Sequence, residues 1–229
     1  MAPSSSAPQK VALIAGASGL VGSYLLPLLL NSGRYAKVIA LSRRPLQLVH
    51  PKLDQRVVDF DRLEDHRLSL IADDVFCCLG TTMRQAGSKE AFYKVDYLYV
   101  VKLAALTAAN FAAQFMVVSA MGADVASAFY YNRVKGDMEA AVRQTPFRAI
   151  HVFRPSLLLG DRTDKRLGEQ VGAVVLRLLN PLLVGPLKRY RGIPAQAVAQ
   201  GMLNAAYQEG GGVRVYLSDE IASGISPTA

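Results

Sequence analysis

The stretch Lys10-Val-Ala-Leu-Ile-Ala-Gly16-Ala-Ser-Gly19-Leu-Val-Gly22-Ser-Tyr-Leu-Leu decides how the rest of the chain is read. An apolar run too short for a full helix meets a glycine cluster, then turns apolar at helical spacing, a strand–turn–helix pattern. Gly16 permits a sharp turn, Gly19 lets a pyrophosphate approach the main chain, and Gly22 lets the helix pack closely on the strand. The helix start adds N–H groups and the positive end of its dipole. Ser18, Leu20 and Val21 stand in the same turn and join the three glycines as dinucleotide-binding candidates. The spacing is G-x-x-G-x-x-G rather than G-x-G-x-x-G, and a purely structural turn would use the same residues.

Residues 11–33 carry no charge and match a membrane span in length. Gly16, Ser18, Gly19, Gly22, Ser23 and Pro27 argue against that reading. A signal peptide would use Lys10 and Ala15-Gly-Ala17, but neither rival accounts for the motifs further along the chain. With 229 residues, 51% of them hydrophobic, the chain can bury one sizeable core, so a single α/β unit over 10–229 behind a loose tail at 1–9 is expected. The net charge of +8 is compatible with nucleic acid, an acidic membrane surface or an anionic small molecule. The densest basic cluster, Lys188-Arg189-Tyr190-Arg191, comes without a nucleic-acid-binding signature, so neither nucleic acid nor membrane is an expected partner. Cys77 and Cys78 are adjacent and the three histidines scattered, which supports neither a disulfide framework nor a metal; a reducing cytoplasm is the default expectation.

Residues 37–41 read as a second strand, followed by Ser42-Arg43-Arg44 where an NAD site would place a carboxylate for the ribose hydroxyls. A hydroxyl and two guanidiniums suit a 2′-phosphate, so NADP(H) is expected over NAD(H), although a solvated basic turn would look the same. Residues 56–60 read as a third strand with Asp59 and Phe60 near the adenine, 62–71 as an amphipathic helix, and 74–79 as a buried strand ending in Gly80-Thr81-Thr82. Gly80, with Thr81 after it, would let the main chain pass close under the cofactor, and polar 81–89 could form a flap. Residues 90–110 read as one long helix and 115–118 as a strand ending at Ser119.

Tyr131 and Lys135 follow one helical turn apart. A lysine ammonium beside a phenol would lower the tyrosine pKa and could hold ribose hydroxyls, while Ser119 would orient a carbonyl oxygen. Residues 147–153 read as a sixth strand leading to Arg154-Pro155, 154–193 as a small substrate-side cap with a helix at 171–179, 194–207 as a helix and 213–217 as the last strand.

Taken in order, these motifs resemble the short-chain dehydrogenase/reductase superfamily in its extended or atypical branch, and within it the Tat-interacting-protein-like oxidoreductases and their bacterial relatives. The matching text includes Gly-Ala-Ser-Gly at 16–19, Cys-Cys-Leu-Gly-Thr-Thr at 77–82, Val-Lys-Gly at 134–136 and Phe-Arg-Pro at 153–155. The resemblance implies a doubly wound parallel sheet binding NADP(H), with Ser119, Tyr131 and Lys135 as active site and Leu79, Gly80 and Pro155 near the cofactor. It also implies a carbonyl or alcohol substrate and leaves room for a homodimer. Relatives often carry a second serine where this chain has Ala120, so a cofactor-binding sensor without turnover is the alternative expectation.

Overall fold

The computed structural model describes residues 10–160, 190–208 and 210–226. The expected helix at 171–179 and most of the cap therefore lie outside the described residues. Seven parallel strands form one sheet in the order β3-β2-β1-β4-β5-β6-β9: β1 (Lys10–Ala15), β2 (Tyr35–Ser42), β3 (Leu53–Val57), β4 (Asp74–Cys77), β5 (Gln114–Val118), β6 (Ala149–Arg154) and β9 (Gly212–Leu217). Two short strands, β7 (Leu158–Leu159) and β8 (Ile193–Pro194), pair beside it. The order reverses between β1 and β4, which opens a crevice at the carboxyl ends of those strands.

Alternate residues of each strand feed separate cores. Ile14, Phe76, Met116 and Phe153 face α1 (Leu20–Asn31) and a helix at Ala195–Ala206, whereas Leu13, Val75, Phe115 and Val117 face the other layer. That two-sided burial explains why these strands read as continuous apolar runs. The second layer begins with short α2 (Met83–Ala86) and α3 (Lys89–Tyr93), continues through a π-turn at Lys94–Leu98 into α4 (Tyr99–Ala109), and ends with α5 (Tyr130–Val142). The Ala195–Ala206 helix is α6, and a seventh, α7 (Ser218–Ser223), follows β9.

Several boundaries differ from the sequence expectation. The third strand ends at Val57, and Phe60–Ser69 is 3₁₀ rather than α, because the Asp59 carboxylate accepts from Asp61 N–H at 3.0 Å and turns the chain early. Pro27 lies inside α1, which runs on to Asn31. The expected helix 90–110 exists but is broken by the π-turn. The polar flap holds α2, capped by Thr82 and closed by Gly87 at φ +77°. Among the described residues no helix is long and apolar enough to cross a membrane.

His151 of β6 is 3% exposed and shares a 2.9 Å hydrogen bond with the Tyr216 hydroxyl. Burial and the nearby Arg214 push its pKa down from 6.5 to about 4, so the unfolded chain binds a proton there that the folded chain refuses. Stability from this group is complete above pH 6.5 and falls as the pH drops toward 4, by up to about 3 kcal/mol. Urea unfolding across that window should show His151→Gln losing part of the slope; an unchanged slope would remove His151 as the cause.

Candidate active site

Gly16 turns the chain at φ +85°, and a Cβ there would stand 2.5 Å from the Cys78 carbonyl oxygen. A Cβ on Gly22 would collide with the Gly16 carbonyl oxygen. Both glycines are therefore demanded by β1, α1 and the end of β4 packing backbone to backbone. Gly19 is exposed and caps α1 without a side-chain hydrogen bond, so the first N–H groups of the helix are left to an incoming anion. Ser18 is exposed beside it, whereas Val21 and Gly22 are buried against the core. This turn, whose helix start carries no side-chain cap, fits a dinucleotide pyrophosphate.

At the end of β2, Arg43 and Arg44 are exposed and make no ion pair among the described residues. Ser42 is buried and its hydroxyl donates to the Arg44 carbonyl at 2.7 Å, so it shapes the basic turn rather than offering its proton outward. Asp59 is exposed. Phe60 is not: it is buried and its ring lies 5.5 Å from that of Tyr99, which makes it core and corrects its expected place at the adenine. The Cys78 carbonyl and the Leu79 nitrogen lie against the Gly16 turn, Gly80 and Thr81 follow them in the loop after β4, and Pro155 is buried with its carbonyl accepting from Met121 N–H.

Lys135 is brought to this crevice from α5. It is 3% exposed, its ammonium lies 2.7 Å from Asp96 Oδ1, and a Cβ on Gly80 would be 3.7 Å from its Nζ. Burial alone would lower its pKa, but the Asp96 carboxylate more than compensates and holds it above the ordinary lysine value. Tyr131 packs on Phe92 with ring centroids 5.3 Å apart. Its pKa is raised, not lowered as the sequence led us to expect: burial dominates, Lys135 opposes it and Asp96 reinforces it.

Ser119 also departs from expectation. It follows β5 on the same face as Val117, and its hydroxyl donates to Glu139 Oε1 at 2.6 Å. Glu139 is 2% exposed and receives Arg154 Nε at 2.9 Å and Nη2 at 2.7 Å. Ser119 Oγ is therefore committed to a buried ion pair between α5 and β6, and the next residue, Ala120, has no hydroxyl to replace it.

Sequence reasoning missed Asp96 and Glu139, yet both carried a signal. Phe92, Asp96, Val100, Leu103 and Thr107 are the buried stripe of α3, the π-turn and α4, and Met138, Glu139 and Val142 belong to that of α5. A carboxylate at a core position requires a buried cation or donor. No cluster of His, Cys, Asp and Glu that could hold a metal occurs among the described residues.

With strand order, glycine turn and buried lysine in place, the class is defined, and sequence comparison agrees. The chain belongs to the NAD dependent epimerase/dehydratase family, whose model matches residues 12–220. It is 37% identical over 207 residues to Protein HTATIP2 of Rattus norvegicus, covering 89% of this chain and 84% of that protein. It is 30% identical over 213 residues to Protein FMP52-1, mitochondrial, of Scheffersomyces stipitis, covering 86% and 88%. Among solved structures it resembles MoeE5 in complex with UDP-glucose and NAD (TM-score 0.66, 17% identity, 94% of this chain and 83% of that one). It also resembles UDP-glucose 4-epimerase of Thermotoga maritima (0.66, 17%, 90% and 76%). These structures establish the fold.

The cytoplasmic expectation is corrected by these relatives: the fungal ones, that of Saccharomyces cerevisiae included, are named as mitochondrial. Reduced cysteines report redox conditions, not an address, and could not have distinguished the two.

Glu139 gives a direct test of the buried ion pair. Glu139→Gln leaves Arg154 without its counter-charge and should cost about 3 kcal/mol or more in chemical unfolding; a loss under about 1 kcal/mol would show the pair to be energetically idle.

Proposed function

We propose that this chain is an NADP(H)-dependent oxidoreductase that reduces a small carbonyl compound to an alcohol. The observation that supports it best is the buried Lys135, whose Nζ would lie 3.7 Å from a Cβ on Gly80 in the loop after β4 and which stands one helical turn along α5 from Tyr131. When bound, the reduced dinucleotide supplies a hydride to the carbonyl carbon. The amides of residues 20–22 and the α1 dipole bind the pyrophosphate, and Arg43 and Arg44 take a 2′-phosphate. Lys135 spends one N–H on Asp96 and keeps two for ribose hydroxyls. As the carbonyl π pair moves onto oxygen, Tyr131 Oη gives it a proton and regains one from water. Ser119 takes no proton-donating part, because its hydroxyl serves Glu139; it fixes the loop after β5 instead.

The same Ser119 bond, together with Ala120, favours a second reading: a protein that binds NADPH and signals its presence without turnover. Transfer of label from deuterated NADPH into a panel of carbonyl compounds separates the two. The reductase reading predicts labelled alcohol, lost at least about a hundredfold in Tyr131→Phe. Tight NADPH binding with no transfer to any compound would overturn it. For the cofactor, titration of the double variant Arg43→Ser/Arg44→Ser should weaken NADPH about tenfold or more and leave NADH unchanged. Equal loss of both would remove the 2′-phosphate role.

A further inference from the structure

The polar segment after Gly80 is bonded to the rest of the chain at its two ends. At its start the Thr81 N–H donates to Asp96 Oδ2 at 2.8 Å, and the other oxygen of that carboxylate pairs with Lys135. At its end the Tyr130 hydroxyl donates to the Lys89 carbonyl at 3.0 Å, and Tyr130 is the residue before Tyr131. Both anchors therefore adjoin the two groups assigned to the chemistry. Between them no residue of 82–88 is buried, and among the described residues its hydrogen bonds stay within the segment and α3.

The span is nevertheless stiff. Thr82 Oγ1 accepts from Gln85 N–H at 3.1 Å to start α2, and Ser88 Oγ accepts from Ala91 N–H at 3.1 Å to start α3. Gly87 joins the two helices at φ +77° with open space where a Cβ would stand, so it turns the chain without packing on anything. Met83 and Ala86, three apart on one face of α2, are half-buried, whereas Arg84 and Gln85 are exposed. A short self-capped unit with one apolar face and no core of its own moves as a body, and its position is set by what holds its ends.

Tyr130 holds one of those ends from several sides. Its ring lies 6.1 Å from the Phe92 ring of α3, with Lys89 Nζ 5.4 Å and Arg133 Cζ 5.7 Å from its centroid. Arg133 also donates to the Ser127 carbonyl at 2.7 Å, which braces the contact against the loop leading into α5. Phe92 carries the Tyr131 ring as well, at 5.3 Å, so one aromatic supports both tyrosines. Packing alone would need no hydroxyl. Here the hydroxyl bonds the first residue of α5 to the first residue of α3.

We propose that residues 82–88 form a lid over the reaction site and that Tyr130 is its latch, a positioning residue that holds the lid closed on the bound dinucleotide. This rests on the reading of Tyr131 and Lys135 given above and adds the element that keeps water from the reacting carbon.

Two measurements on the full chain test it without a known substrate. Amide hydrogen exchange read by mass spectrometry reports the latch: Tyr130→Phe keeps the ring, removes the hydroxyl, and should speed exchange in peptides covering 82–93 about fivefold, leaving strand peptides unchanged. Acrylamide quenching of bound NADPH fluorescence reports the lid. The same variant should raise the quenching constant about twofold or more while NADPH affinity stays within about twofold. In the wild type, NADPH should slow exchange across 82–93, a result that needs no variant to fold. Unchanged exchange in Tyr130→Phe would overturn the latch; faster exchange with unchanged quenching would leave Tyr130 a packing residue and overturn the lid, as would NADPH binding without protection of 82–93. Failure of the underlying catalytic reading appears elsewhere, as hydride transfer that survives Tyr131→Phe, and moves neither measurement.

Discussion

An ammonium wholly removed from water must find a carboxylate, and the pairing of Lys135 with Asp96 is the constraint around which the crevice is built. To meet it, α5 must bring Lys135 to the loop after β4, where Gly80 lies beside both charges, and the helix before β5 must bulge to swing Asp96 inward. The Gly16 turn packs on the carbonyl immediately preceding this loop, so the phosphate-binding turn and the lysine share one backbone scaffold. Disturbing the pair would therefore be felt in the geometry of the dinucleotide site as well as in its charge.

A second buried pair does related work one strand away. Glu139 and Arg154 bind α5 to the end of β6 and take the Ser119 hydroxyl into their network. Gly136 lets this side of α5 lie against the backbone of Asp124 and Val125, where a Cβ would collide. The helix that presents Tyr131 and Lys135 is thus clamped by one ion pair toward β4 and by another toward β6. Both are short and largely shielded from solvent, which suits a site whose reacting groups must be preorganised.

The sheet was legible in the sequence because burial on both faces writes each strand as an apolar run and the glycine turn fixes the first crossover. The Gly16 and Gly22 readings held because a turn packed backbone to backbone has room for no other residue. What stayed hidden depends on side-chain partners distant in sequence: Ser119 bonds a residue 20 positions on, and Asp96 meets Lys135 across three elements. Phe60 failed for another reason, since an aromatic after a strand packs equally well on adenine or on Tyr99, and only the early 3₁₀ turn chose between them. The raised Tyr131 pKa was missed because the i,i+4 spacing shows the lysine and conceals the burial that outweighs it, with the Asp96 carboxylate adding to that burial.

If Lys135 and the Gly16 turn serve one nucleotide, a crystal structure of the chain grown with NADPH will show it. Pyrophosphate oxygens should lie on the amides at the start of α1 and the nicotinamide ribose hydroxyls within hydrogen-bonding reach of Lys135 Nζ, with the Asp96 contact intact. A dinucleotide seated elsewhere, or one whose ribose stands clear of Lys135, would contradict the shared site.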